Sequence, residues 1–189
     1  MVDDQSLVEK VLDGDMRAFR LLIDQNQNLV SHMVGRLIKI EEDHEELCQD
    51  VFLKVYDKLG EFNFKSRLST WIATIAYRMS INYLQKKRIE IAKDLDELNA
   101  SELNKVINSA TPESAMESQD MEKFLLIAID HLPIHYRSVL TLYHLQERRL
   151  DEIAEIMEMP LGTVKNYLYR GRKLLKESLE LHLNKESLI

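Results

Sequence analysis

This chain is poor in residues that interrupt helices. Only five glycines and three prolines stand among its 189 residues. No alternating β-branched run bounded by turn residues occurs either. The composition therefore predicts an almost wholly helical fold. A single cysteine, Cys48, excludes an intramolecular disulfide framework and points to a reducing compartment. There is no basic, apolar leader at the start and no apolar stretch long enough to span a bilayer. A soluble, cytoplasmic protein without membrane insertion is expected. No glycine lies near another, so a phosphate-cradling loop is missing, as are a nucleophile elbow and a His-Glu-x-x-His pattern. His44 and Cys48 sit at i and i+4 and could share a metal with Glu45. Without a second ligand pair a structural role fits them better. The sequence predicts no enzyme, no cofactor and no metal.

What is present is concentrated near the C-terminus. Asp151 to Met157 places Ile153, Ala154 and Met157 on one helical face, and a break follows at Glu158-Met159-Pro160. A second helix carries Val164, Tyr167, Leu168, Gly171, Leu174 and Leu175 as an apolar stripe of helical period. Its other face offers Lys165, Tyr169, Arg172 and Lys176, flanked by Asn166, Arg170 and Lys173. Two helices joined by a tight turn form the helix-turn-helix pattern, whose second helix suits the major groove.

The net charge of −7 is unusual for a free-standing DNA binder, which presents an excess of cations. Here the basic residues are local, at Lys65 to Arg88 and Arg148 to Lys176, while acid dominates Asp3–Asp15, Glu41–Asp50 and Asp94–Glu117. Two cationic patches on an acidic chain imply a partner that supplies the remaining affinity.

Helical periodicity predicts helices over 4–13, 15–38, 43–58 and 68–88, with Gly14 and Gly60 at junctions. The polar, acidic stretch that follows reads as a flexible linker. A second helical block begins near Glu113 and runs to Asp130, and a helix restarts at Pro133 and runs to about Leu145. The expectation is an all-α protein of two small domains, 1–92 and 119–189, joined by a linker over 93–118.

Four segments resemble the extracytoplasmic-function sigma factors of the sigma-70 superfamily. They are Gly14-Asp15-Met16-Arg17-Ala18-Phe19, then Glu46-Leu47-Cys48-Gln49-Asp50-Val51-Phe52-Leu53-Lys54-Val55, then Leu68-Ser69-Thr70-Trp71-Ile72-Ala73-Thr74-Ile75-Ala76 running on to Asn82-Tyr83-Leu84 and Lys86-Lys87-Arg88. The fourth is discontinuous: Leu132-Pro133, Tyr136-Arg137, Val139-Leu140, Asp151-Glu152-Ile153-Ala154, Pro160 to Lys165 and Arg170-Gly171-Arg172.

The resemblance implies a subunit that joins core RNA polymerase and directs it to promoter DNA. The N-terminal domain would read and melt the minus-ten element, and the C-terminal domain would read the minus-thirty-five element. For the duplex it implies Thr163, Lys165, Asn166, Tyr169, Arg170, Arg172 and Lys173, with Tyr143 near a phosphate. For the melted non-template strand it implies a base pocket in the loop holding Phe62, Phe64, Lys65 and Ser66, with Trp71, Arg78, Asn82, Gln85 and Arg88. Arg78 stands where some relatives carry an amide. For polymerase docking it implies Glu46, Gln49, Asp50 and Leu53, on a helix face that also bears Glu45 and Asp57. It implies an anti-sigma factor as regulator, and a linker threaded through a polymerase channel with Asp94, Asp96, Glu97 and Glu102 mimicking nucleic acid.

A stand-alone helix-turn-helix repressor and a protein-binding adaptor are the competing readings. The first would need DNA affinity without polymerase; the second leaves the basic helix face unexplained. Two patches on a tether also suggest that the free protein closes on itself.

Overall fold

The structure is a computed structural model that describes residues 3–96 and 121–186, the side chains of 88–96, 121–124 and 181–186 excepted. The described residues form eight α-helices and no strand. In chain order these are α1 (Asp4–Leu12), α2 (Met16–Leu37), α3 (Glu41–Lys58), α4 (Leu68–Asp96), α5 (Met121–Asp130), α6 (Ile134–Leu140), α7 (Leu150–Ile156) and α8 (Leu161–Glu186).

Local chemistry sets the first boundaries. Gly14 ends α1 at φ +89°, a left-handed turn that glycine adopts without steric cost. Asp15 then caps α2, its carboxylate accepting from the N–H groups of Arg17 at 2.8 Å and Ala18 at 3.3 Å. Along α2 the residues Leu22, Leu29, Val30, Met33, Val34 and Leu37 are buried at helical spacing against α3 and α4. Asn26 is buried among them and gives its amide N–H to the Leu22 carbonyl at 2.8 Å, so its polar group is satisfied. Asp4 accepts the N–H of Leu68 at 3.2 Å, tying the start of α1 to the start of α4.

Helix α4 runs through Asp96, past the expected end and into the stretch read as linker. It is also buried more widely than one stripe predicts. Leu68, Ile72, Ile75 and Ala76 are buried, and so are Thr70, Ala73, Tyr77 and Ser80. Helices α6 and α7 account for this, because the C-terminal helices pack on α2 and α4. The rest of the linker, and the expected helix start near Glu113, lie outside the described residues.

In the C-terminal half the helix expected from Pro133 to Leu145 divides. After α6 comes a single π-helical turn, Thr141–Leu145, closed by the Gln146 N–H on the Thr141 carbonyl at 3.0 Å. Gly171 lets α8 approach α6: a Cβ there would meet Leu140 Cδ1 at 3.2 Å. Tyr167 strengthens this seam, 5.4 Å from the Tyr136 ring and 5.6 Å from His135.

Candidate nucleic-acid interface

The helix-turn-helix is α7 and α8. Glu152 begins α7 by accepting the Arg149 N–H at 3.0 Å. Pro160 stands just ahead of α8, not within its first turn, and its carbonyl accepts from Thr163 at 2.8 Å and Val164 at 3.2 Å. Val164, Leu168 and Gly171 bury one side of α8, while Lys165, Asn166, Tyr169, Arg170, Arg172 and Lys173 stand exposed and Thr163 is half-buried. Leu174, expected in the buried stripe, is 37% exposed.

The π turn brings Tyr143 to this face. The Arg172 guanidinium lies 5.2 Å above the Tyr143 ring, and its Nε donates to His144 Nε2 at 3.1 Å. His144 must be neutral at Nε2 to accept. Its pKa is held below the usual histidine value, by burial first and by the Arg172 charge second. Sequence reasoning missed His144, since nothing in a periodicity marks an acceptor in a π turn.

The loop before α4 has a definite shape. Asn63 Oδ1 accepts the Lys65 N–H at 3.2 Å, an Asx turn with Phe64 at its apex at φ +58°. A phenylalanine in that region costs on the order of 1–3 kcal/mol, and such outliers cluster at functional positions. Phe64 is 48% exposed, its ring 4.7 Å from the buried Phe62, which in turn lies 5.4 Å from the half-buried Trp71. The buried Phe62 ring lies between Trp71 and Phe64, and Phe64 offers the open face. Lys65 is exposed beside it and Ser66 half-buried. Along α4, Arg78, Asn82 and Gln85 are exposed on one side, as expected. Arg88 belongs to the same helix, with its side chain outside the described residues. Lys87 is turned inward, its Nζ 2.8 Å from Asp43 and 2.9 Å from the Tyr83 hydroxyl. That Lys87 hydrogen bond, with Tyr83 second, holds the Asp43 carboxyl below its usual range.

On α3, Glu45, Glu46, Gln49, Asp50 and Asp57 are exposed around Leu53, which is 66% exposed. Leu47, Val51 and Val55 bury the opposite side. His44 Nε2 lies 3.0 Å from the Ser31 carbonyl and 3.5 Å from Cys48 Sγ, and burial with the Glu45 charge pushes the thiol up to about 11. This is a packed, protonated cysteine. No group of three or more metal-ligating side chains occurs among the described residues, nor a helix long and apolar enough to cross a membrane.

Residues 22–89 match the sigma-70 region 2 family and residues 125–175 match sigma-70 region 4. The ECF RNA polymerase sigma-E factor of Haemophilus influenzae is 31% identical over 183 residues, covering 94% of this chain and 95% of that protein. Its Escherichia coli counterpart is 32% identical over 181 residues, covering 94% of each. In fold, the chain resembles the sigma factor RpoE of Bartonella quintana, solved with the anti-sigma factor NepR, at a TM-score of 0.67 and 21% identity. That match covers 87% of this chain and 98% of the other. CnrH, solved with the cytosolic domain of CnrY, gives a TM-score of 0.66 at 16% identity, over 94% and 97% of the two chains. Both sigma regions are matched in order, and the sigma-E relatives align along nearly the whole length. The chain belongs to the extracytoplasmic-function RNA polymerase sigma factors, which are initiation factors and not enzymes.

Proposed function

We propose that this sigma factor works in the cytoplasm, joins core RNA polymerase and takes it to promoters by two separate readings of DNA. The observation that carries the proposal is α8. One side is pinned by Val164, Leu168 and Gly171, and the other presents Lys165, Asn166, Tyr169 and Arg170 to solvent. Set in the major groove of the minus-thirty-five element, Arg170 or Lys165 can pair with guanine and Asn166 with adenine, each worth about 1–3 kcal/mol of discrimination. Thr163, Arg172 and Lys173 then reach the backbone, and Tyr143 supports Arg172 beside a phosphate.

The second reading is of a melted strand. Phe64 is the stacking platform for an extruded minus-ten base, worth about 1–3 kcal/mol. Phe62 and Trp71 hold that platform from behind, while Lys65 and Ser66 supply charge and hydrogen bonds. Arg78, Asn82, Gln85 and Arg88 follow the strand along α4.

Docking on polymerase falls to α3. Acidic Glu46 and Asp50 steer encounter with a basic partner surface, and Leu53 and Gln49 make the close contact. The Bartonella quintana sigma factor, solved with an anti-sigma factor, supports the same kind of control here. The linker is proposed to thread the polymerase, and deletion of 95–110 tests this: unchanged initiation and promoter escape would end the idea.

The test of the whole reading is a mobility shift of promoter DNA by the protein alone, by core polymerase alone and by both. A specific complex only with both is expected. A salt-sensitive shift by the protein alone, with no binding to core, would identify a repressor instead.

A further inference from the structure

The wide turn after α6 has a use on the exposed side of α8. In Thr141–Leu145 the Gln146 N–H reaches the Thr141 carbonyl at 3.0 Å, one residue further back than in an α-helix. Turns of this kind are frequent at functional sites, and the extra residue changes where side chains point. Here two successive side chains, Tyr143 and His144, both come up to Arg172, their rings 5.0 Å apart and edge to face. The Arg172 guanidinium lies 5.2 Å over the Tyr143 ring, and His144 Nε2 accepts from its Nε at 3.1 Å.

Helix α8 itself gives Arg172 no such support. The residues three and four positions away are Leu168, Tyr169, Leu175 and Lys176, none of them an acid. Its cationic neighbours differ. Lys173 lies 3.9 Å from Glu177, and Lys176 lies 3.5 Å from Glu180, so each shares its charge with a carboxylate one turn on. Arg172 is held instead by an aromatic face and a neutral imidazole, and among the described residues no carboxylate pairs with it. Its charge is therefore undiminished. With Nε engaged by His144, the N–H groups of its two terminal nitrogens are left for a phosphate. A long side chain loses rotamer freedom when it binds, and one already fixed loses less.

We propose that His144 is a positioning residue for minus-thirty-five recognition, a neutral acceptor on the π turn that orients Arg172 toward the DNA backbone. The proposal rests on the minus-thirty-five reading of α8 above. A carboxylate at 144 would hold the arginine as well, but it would offset the charge that draws a phosphate. His144 holds the guanidinium and leaves that charge whole.

The experiment measures binding of a fluorescent promoter duplex to the full chain on core polymerase across a salt series. The proteins are the wild type, Arg172→Ala, His144→Leu, the two changes combined, and His144→Gln. Both positions stand at the surface, so the core is left intact. Arg172→Ala should weaken binding about fivefold whatever the minus-thirty-five sequence, and lower the slope of log affinity against log salt by about 1. His144→Leu should weaken binding about threefold when Arg172 is present and not at all in the Arg172→Ala background. His144→Gln keeps an acceptor and should bind as the wild type does. Losses that simply add in the combined variant overturn the proposal, because His144 would then act without Arg172. A loss in His144→Gln equal to that in His144→Leu overturns it too. A sequence-dependent complex that Arg172→Ala weakens but His144→Leu does not overturns the positioning alone. A wild-type complex indifferent to the minus-thirty-five sequence, with Arg172→Ala unaffected, overturns the reading by α8 and the positioning together.

Discussion

Gly171 and Leu140 meet so closely that a methyl group on the glycine would lie 3.2 Å from Leu140 Cδ1 and 3.3 Å from its Cγ. Leu140 is fully buried, so it must shift within a packed core to admit the methyl group. Overpacking of this kind costs about 1–3 kcal/mol, against a gain of about 1 kcal/mol in helix propensity for alanine. Gly171→Ala should therefore lower stability by about 1 kcal/mol and tilt α8. The check is a melting temperature together with promoter affinity of the polymerase-bound variant, both of which should fall.

Burial of His144, with the Arg172 charge second, sets a pH dependence. The folded His144 pKa lies below the usual histidine value, so its neutral form is the favoured one. The contribution is whole above the unfolded value and is lost as pH falls from there through the folded value. Glutamine at 144 can still accept from Arg172 but does not titrate. Relative to His144→Gln, the wild type should lose stability as pH drops below about 6.5. Parallel melting curves for the two proteins from pH 8 to pH 5 would contradict this.

Phe64 separates the fold from its function. Both Phe64→Ala and Phe64→Gly remove the ring, but only glycine relieves the left-handed backbone at φ +58°. Phe64→Gly should be more stable than Phe64→Ala by about 1 kcal/mol. Both should weaken binding to a melted minus-ten strand by about 1–3 kcal/mol in the polymerase-bound state. Equal stabilities would remove the strain argument, and unchanged strand binding would remove the stacking role.

The helical spans and the two-helix unit were legible in the sequence because they are local. A period of 3.6 residues and Gly14 as a turn each act within a few positions. Lys165, Asn166, Tyr169 and Arg170 were legible as an exposed face for the same reason. Glu158 could not be read this way. Its left-handed φ favours glycine or asparagine, and its carboxylate pairs with Arg78, which is remote in sequence. Tyr77 is similar: helical spacing gives it no place in the bundle, yet the C-terminal domain buries it and pushes its phenol up to about 12, with Ser138 alongside. The division of the Pro133–Leu145 helix also left no local mark, since a π turn needs only one shifted hydrogen bond.

Leu53 tests the docking surface. It is exposed and its side chain contributes little to the core, so Leu53→Ala should leave the melting temperature within about 0.5 kcal/mol of wild type. As an apolar anchor ringed by charge it should cost about 1–2 kcal/mol in affinity for core polymerase. Titration of core polymerase with labelled protein reads this directly. Wild-type affinity in the variant would move docking off this face of α3.

The account turns most directly on run-off transcription with core polymerase, comparing no added protein, the wild type and Lys165→Ala with Arg170→Ala on the protein's own upstream DNA. It predicts a specific transcript with the wild type that disappears with the double variant, although that variant still binds core. No transcript with the wild type, or an undiminished one with the double variant, would contradict promoter reading by α8.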